Sequence, residues 1–295
     1  MNNLIKQDIG FLEHPLWMQN LEQDEKGFTW KDMDGYIYKS AGKAPTQTDG
    51  IFLYYLLQRS QKDGWNNKLE LSRYEILKGC GFTDAKKNYN RLMESMERWW
   101  MLGIGFNGTF YNGEKYETLL FNIIDDVELP AKKGSKLKIT FSEKWLYKIK
   151  ESKYYKLIDF EELKVLKTPL ATRLYEILSK TFKGRNEWAI DAHKLANKIP
   201  MNEKYLTHII AKIQPAVKRI TQKTNLHIEL EVRKKERGKA VLVFRRTNEQ
   251  AEITKTQNIP EQQLSLSEWA NSPENRMKTI GKSDSEIRAM MKKTK

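Results

Sequence analysis

The residues with the plainest chemistry in this sequence are cations. Arg233, Lys234, Lys235, Arg237 and Lys239 fall within seven residues, interrupted only by Glu236 and Gly238. Such a cluster on a turn neutralises phosphate oxygens and breaks no bonds, so what it offers is polyanion binding. Upstream, Lys204, His208, Lys212, Lys218 and Arg219 share the outward side of a segment, 203–223, whose inward side carries Leu206, Ile209, Ile213, Val217 and Ile220 at helical spacing. A second helical segment, DAKKNYNRLMESMERWW, buries Ala85, Tyr89, Leu92, Met96 and Trp99 and turns Lys86, Lys87, Asn90 and Arg91 outward. A carboxamide such as that of Asn90 can read an adenine edge through two hydrogen bonds.

Signals of catalysis fail on context. Gly103 to Gly108 matches G-x-G-x-x-G, but a dinucleotide loop must leave a strand and enter a helix, and this one leaves a helix for a hairpin. Gly281-Lys282-Ser283 ends like a phosphate loop, yet Arg276 stands where its first glycine belongs. Asp125 and Asp126 are strand neighbours that point to opposite faces and read as an acidic strand end. His14, His193, His208 and His227 lie far apart in sequence, so the histidine pair of a metal-dependent nicking enzyme is missing. No catalytic residue, metal or cofactor is expected.

The charge has a pattern. Lys and Arg number 52 against 38 Asp and Glu, a net charge of +14. Residues 1–47, 48–130, 131–247 and 248–295 carry −2, −2, +17 and +1. A solvated lysine surface would spread the excess, whereas a binding surface gathers it. The single cysteine, Cys80, excludes an internal disulfide and a Cys-rich zinc site. The apolar run Ile51 to Leu57 is far too short to cross a membrane. MNNLIKQDIG lacks a secretory pattern, which predicts a cytoplasmic protein with no membrane partner.

Elements that would position these cations recur in one order. In residues 1–47, GFTWKDMDGYIYKS reads as a strand pair or an irregular arm. Thr48 and Asp49 cap a buried helix to residue 61. A strand follows at Lys68 to Leu71, then a helix opened by the capping box Ser72-x-x-Glu75, then the segment capped by Thr83 and Asp84. Asn107-Gly108 and Asn112-Gly113 are hairpin signals with neutral tips. PAKKG, at 130–134, reads as a domain junction. Beyond it come strand LKITF, a helix capped by Ser142, and a helix from Phe160 to Phe182 kinked at Pro169. Next are a strand near Trp188, a helix capped by Asp191, a helix capped by Asn202, and the hairpin LHIELEVRKKERGKAVLVFRR. The predicted fold class is α+β: tandem winged-helix domains, 48–130 and 131–247, behind an arm and ahead of a flexible C-terminal tail, 248–295. In a winged helix the third helix enters the major groove and the hairpin tip reaches phosphates, which makes 131–247 the main DNA-binding domain.

Several blocks in order resemble the replication initiator protein A family of plasmid initiators. They are MNNLIKQDIGFLEHPLW, LSRYEILKGCGF, DAKKNYNRLMESMERW, FNIIDDVEL, LIDFEELKVLKTPLATRLYEILSKTF and IQPAVKRITQKTNLHIELEV, reaching from Met1 to Val232. The resemblance implies binding to double-stranded DNA at a plasmid origin, local melting, and recruitment of host replication proteins, with the replicative helicase as a candidate. It leaves a monomer–dimer equilibrium open. The residues alone reach only a tandem winged-helix DNA binder, for which a transcriptional repressor is the alternative and an origin-nicking enzyme a distant one. In the tail, Gln263-Leu264-Ser265-Leu266-Ser267 resembles the extended peptide by which replication proteins dock on the sliding clamp, with Gln263, Leu264 and Leu266 as contacts and the final aromatic missing. Ser267 as the cap of a short helix is the competing reading.

Overall fold

The computed structural model describes residues 3–18, 27–31, 35–109, 115–132, 134–235 and 238–247. The tail from 248 onward, including Gln263, Leu264 and Leu266, lies outside the described residues, as does Arg237. In chain order the elements are β1 Leu4–Asp8, α1 Ile9–Glu13, β2 Phe28–Lys31, β3 Tyr36–Ser40, α2 Gln47–Lys62, β4 Lys68–Leu71, α3 Arg73–Gly79 and α4 Lys86–Trp100. There follow β5 Leu102–Thr109, β6 Lys115–Asn122, β7 Ile124–Glu128, β8 Leu137–Phe141, α5 Glu143–Lys150, β9 Tyr155–Asp159 and α6 Phe160–Leu166. The last are α7 Pro169–Thr181, β10 Glu187–Asp191, α8 Ala192–Lys198, α9 Leu206–Lys223, β11 Ile228–Lys234 and β12 Ala240–Arg246.

Local chemistry explains most boundaries. Asp8, Ser72, Asp159 and Asp191 each end a strand or follow one, and each accepts a backbone N–H of the helix that begins there. Helix α2 starts at Gln47 rather than near residue 50, because Thr46 is its N-cap and Asp49 reaches back to accept the Thr46 N–H at 2.6 Å. Helix α4 starts after Ala85, since Asp84 accepts from the Tyr89 hydroxyl and Thr83 from the Asn88 amide instead of capping. The expected kinked helix 160–182 is two helices: Lys167 turns left-handed and Pro169 takes the first position of α7, where its missing N–H costs nothing. Helix α9 likewise starts late, with Tyr205 rather than Asn202 as N-cap.

Sheet pairing, all antiparallel among the described residues, is less local. The orders are β1-β9, β2-β3-β5-β6, β4-β8-β7 and β10-β12-β11. Strand β8, expected to open a second domain, pairs with β4 and, antiparallel, with β7, so the chain around PAKKG joins two strands of one sheet. Asn107-Gly108 falls inside β5 at a bulge, and Asn112-Gly113 is outside the described residues. One arrangement thus occurs twice. Helix, strand, two helices and a three-stranded sheet are built by α2, β4, α3, α4, β7 and β8, and again by α7, β10, α8, α9, β11 and β12. The hairpin β5–β6 is inserted into the first copy and completes a sheet with β2 and β3.

Helices α2 and α7 are the two centres of the core. Ile51 to Leu57 are all buried, as are Ala171 to Ser179, and their apolar members belong to one continuous cluster that runs from Ile5 to Phe244. Close packing fixes details: a Cβ on Gly79 would lie 2.1 Å from the Tyr55 ring. Among the described residues no helix is long and apolar enough to cross a membrane, and no group of His, Cys, Asp and Glu could hold a metal ion.

Candidate nucleic-acid interface

Helix α9 buries Ile209, Ile213, Ala216, Val217 and Ile220 against α7, α8 and β11. Its far end is tied to β11 by reciprocal bonds of 3.1 Å between the Thr221 hydroxyl and the Ile228 backbone. That orientation leaves His208, Lys212 and Lys218 exposed. Lys204 is exposed too, but it lies on the approach to the helix.

The five cations expected on this helix do not act alike. Lys212 pairs with Glu203, and the Arg219 Nε donates to the Leu166 carbonyl, which commits that guanidinium to holding α9 on α6. His208 rests edge-on against Tyr205 at 5.6 Å. Lys218 has no carboxylate partner among the described residues. A cleft of about 630 Å³ beside the helix gathers Lys212, Lys218, Arg219 and Lys223 opposite Thr168 and Pro169. Lys223 was not anticipated, because its place at the helix end gives no face signal by itself.

The hairpin β11–β12 projects the basic turn. Lys234, Lys235 and Lys239 are exposed, and the Lys235 N–H donates to the Lys239 carbonyl at 3.2 Å, which closes the turn. Arg233 is held by Glu231 through bonds of 2.7 and 3.0 Å, and Arg245 bridges Glu231 to Glu187. Hydrogen bonds from Arg233 and Arg245 hold the Glu231 carboxyl down at about 2. Arg233 is therefore neutralised by its neighbour, while Lys234 and Lys235 beyond it have no carboxylate partner among the described residues.

On α4, Lys86, Lys87, Asn90 and Arg91 are all exposed, as the spacing predicted, and Leu92, Met96 and Trp99 are fully buried. The helix is fixed from its other end: Arg98 donates to both oxygens of the buried Asp49 at 3.0 and 3.1 Å, and the Trp99 indole to the Asp49 carbonyl at 2.9 Å. Two lysines in a first turn oppose the helix dipole, by about 0.3–1 kcal/mol each at an exposed site, so this end of α4 suits an external anion. Glu94 and Glu97 face outward further along and confine the basic patch to the N-terminal half.

The profile of the replication initiator protein A family matches residues 6–206. The chain belongs to this family. The match covers the first repeat but only α7, β10 and α8 of the second, so the helix and hairpin that carry the densest charge lie beyond it. No curated protein sequence matches the chain. Among solved structures it is similar to a selenomethionine crystal structure of domains 2 and 3 of RctB. There the TM-score is 0.57 at 13% identity, over 80% of this chain and 96% of that one. It is also similar to a second crystal structure of RctB domains 2–3, with a TM-score of 0.55 at 12% identity over 83% and 99%. At such identities the likeness is one of fold, a mixed α/β architecture shared over nearly the whole of the RctB fragment. Family and fold agree with a replication initiator.

Proposed function

We propose that this initiator binds double-stranded DNA at a plasmid origin through two winged-helix modules, promotes local melting and recruits host replication proteins without cutting the DNA. The observation that carries the reading is the repeat: two copies of helix, strand, helix, helix and hairpin, each with exposed cations on its third helix. The first module runs through β8 instead of stopping at residue 130, and the second begins at α7. In the second, His208, Lys212 and Lys218 face the major groove with Lys204 at its edge, while Lys234, Lys235, Arg237 and Lys239 clamp adjacent phosphates. Arg219 and Arg233 act from behind, one seating the helix and the other shaping the hairpin. In the first, Lys86, Lys87 and Arg91 supply charge and Asn90 reads a base. A tail peptide, Gln263 to Leu266, docks on the sliding clamp.

The test is replication of an otherwise origin-less plasmid carrying the repeat-bearing region, with the protein supplied in trans. Replication supports an initiator. Specific binding without replication would favour a repressor, and a nicked product from supercoiled origin DNA with Mg²⁺ would overturn the non-enzymatic reading.

A further inference from the structure

We infer that the turn joining β7 to β8 is a second phosphate-binding wing, so that the first module grips duplex DNA by a hairpin tip as well as by a helix. The inference rests on the DNA-binding reading above and assigns to it a surface that the sequence pattern hid. In the sheet β10-β12-β11 the last strand lies in the middle, and the basic turn is the tip of the two strands that follow α9. The sheet β4-β8-β7 has the same order, and α4 packs on β7 as α9 packs on β11. By position, then, the turn 129–136 corresponds to the turn 235–239. The hairpin β5–β6 has no such counterpart, because it pairs through β5 with β3.

The chemistry of the turn agrees with its position. Its sequence, LPAKKGSK, holds Lys132, Lys133 and Lys136 and no acid. Lys132 and Lys136 are exposed and have no carboxylate partner among the described residues, while Lys133 lies outside the described residues and enters by sequence alone. Lower on the strand, Lys138 is held by Glu128 at 3.0 Å. Gly134 adopts φ +82° with open space around it, and the Ser135 N–H donates to the Lys132 carbonyl at 3.1 Å, so the tip is a closed turn. Asp125, Asp126 and Glu128 at the base would repel phosphates, which restricts contact to the tip. Assigning this hairpin to the first module also moves four lysines, Lys132, Lys133, Lys136 and Lys138, out of the segment that seemed to hold all the excess charge.

The experiment uses the full chain and a duplex of random sequence, with binding followed by anisotropy over a range of salt. Each phosphate contact contributes about 0.9 to the slope of log affinity against log salt. The variant K132A/K133A/K136A should therefore lower that slope by roughly 2 to 3 if all three lysines engage, with an unchanged thermal melt. As a second measurement, a photo-crosslinker carried on K132C should join to the duplex; Cys80, the single native thiol, is buried and will not compete. An unchanged slope in the triple variant, or no crosslink while the duplex is bound, would overturn the wing. If the unaltered protein shows no salt-dependent binding to duplex DNA, the DNA-binding reading falls and the wing falls with it.

Discussion

Arg173 donates to Glu176 at 2.9 Å with both side chains almost fully buried, one turn apart on α7. The same guanidinium donates to the carbonyls of Leu12 and Glu13, at 3.0 and 2.7 Å, and so satisfies the open C-terminal end of α1. Glu176 in turn accepts from the Trp17 indole at 3.3 Å and the Tyr54 hydroxyl at 3.0 Å. The pair therefore fastens the N-terminal segment and α2 to α7. Glu176→Ala leaves a buried guanidinium without its counter-charge, a loss of about 3–5 kcal/mol in a urea titration. Cost below about 1 kcal/mol would mean that water replaces the carboxylate.

Asp8 should make stability depend on pH. Burial raises its carboxyl above the ordinary 3.8, against the opposing effect of the Ser152 hydroxyl at 2.5 Å and the Gly10 amide. The folded chain then keeps this proton at pH values where the unfolded chain has lost it. Its contribution is fully present below pH 3.8 and disappears as pH rises through the folded value. Asp8→Asn keeps the cap on α1 and cannot titrate. The urea midpoint of the variant should gain on the parent as pH rises through that window, and a constant difference between the two would contradict this account.

Cys80 is buried with its thiol donating to the Ile51 carbonyl at 3.8 Å, and burial pushes that thiol far above the usual range against the opposing charge of Lys164. A thiol kept protonated is a poor nucleophile. An aromatic disulfide reagent should label the native protein at least tenfold more slowly than the protein in denaturant. Equal rates would place the sulfur in reach of solvent.

Removing the acid that restrains Arg233 should strengthen DNA binding. In Glu231→Gln, Arg233 and Arg245 lose the carboxylate they share, and one negative charge leaves the hairpin. The salt slope should rise by up to about 0.9, the value of one added phosphate contact. A fall in affinity would show that Glu231 shapes the hairpin more than it masks the arginine.

Leu264→Ala with Leu266→Ala should spare origin binding, because neither repeat includes these positions. Capture on immobilised sliding clamp should fall severalfold, in keeping with the loss of two apolar contacts of about 1.5–3 kcal/mol each when fully buried. Equal capture by parent and variant would remove the tail from the account.

The local pieces were written in the sequence. Strand Lys68–Leu71 followed by the Ser72 cap, strand Leu137–Phe141, and Asp191 at the head of α8 are all set by alternation and by a side chain within three residues of the N–H it caps. So were the outward positions of Lys86, Lys87, Asn90 and Arg91, since helical spacing fixes a face once the apolar stripe is known. Tertiary structure alone decided the rest. Backbone hydrogen bonds between strands carry no residue code, so nothing local told β8 to join β4, 66 residues away at the pair Leu71↔Leu137, and a polar turn with a proline read as a junction between domains. Nor could spacing show which cations find partners within the fold: Lys212 meets Glu203, and Arg219 meets a carbonyl of α6, only because packing brings separate elements into contact. A helix face is a property of a few neighbouring residues; a partner across the fold is a property of the whole chain.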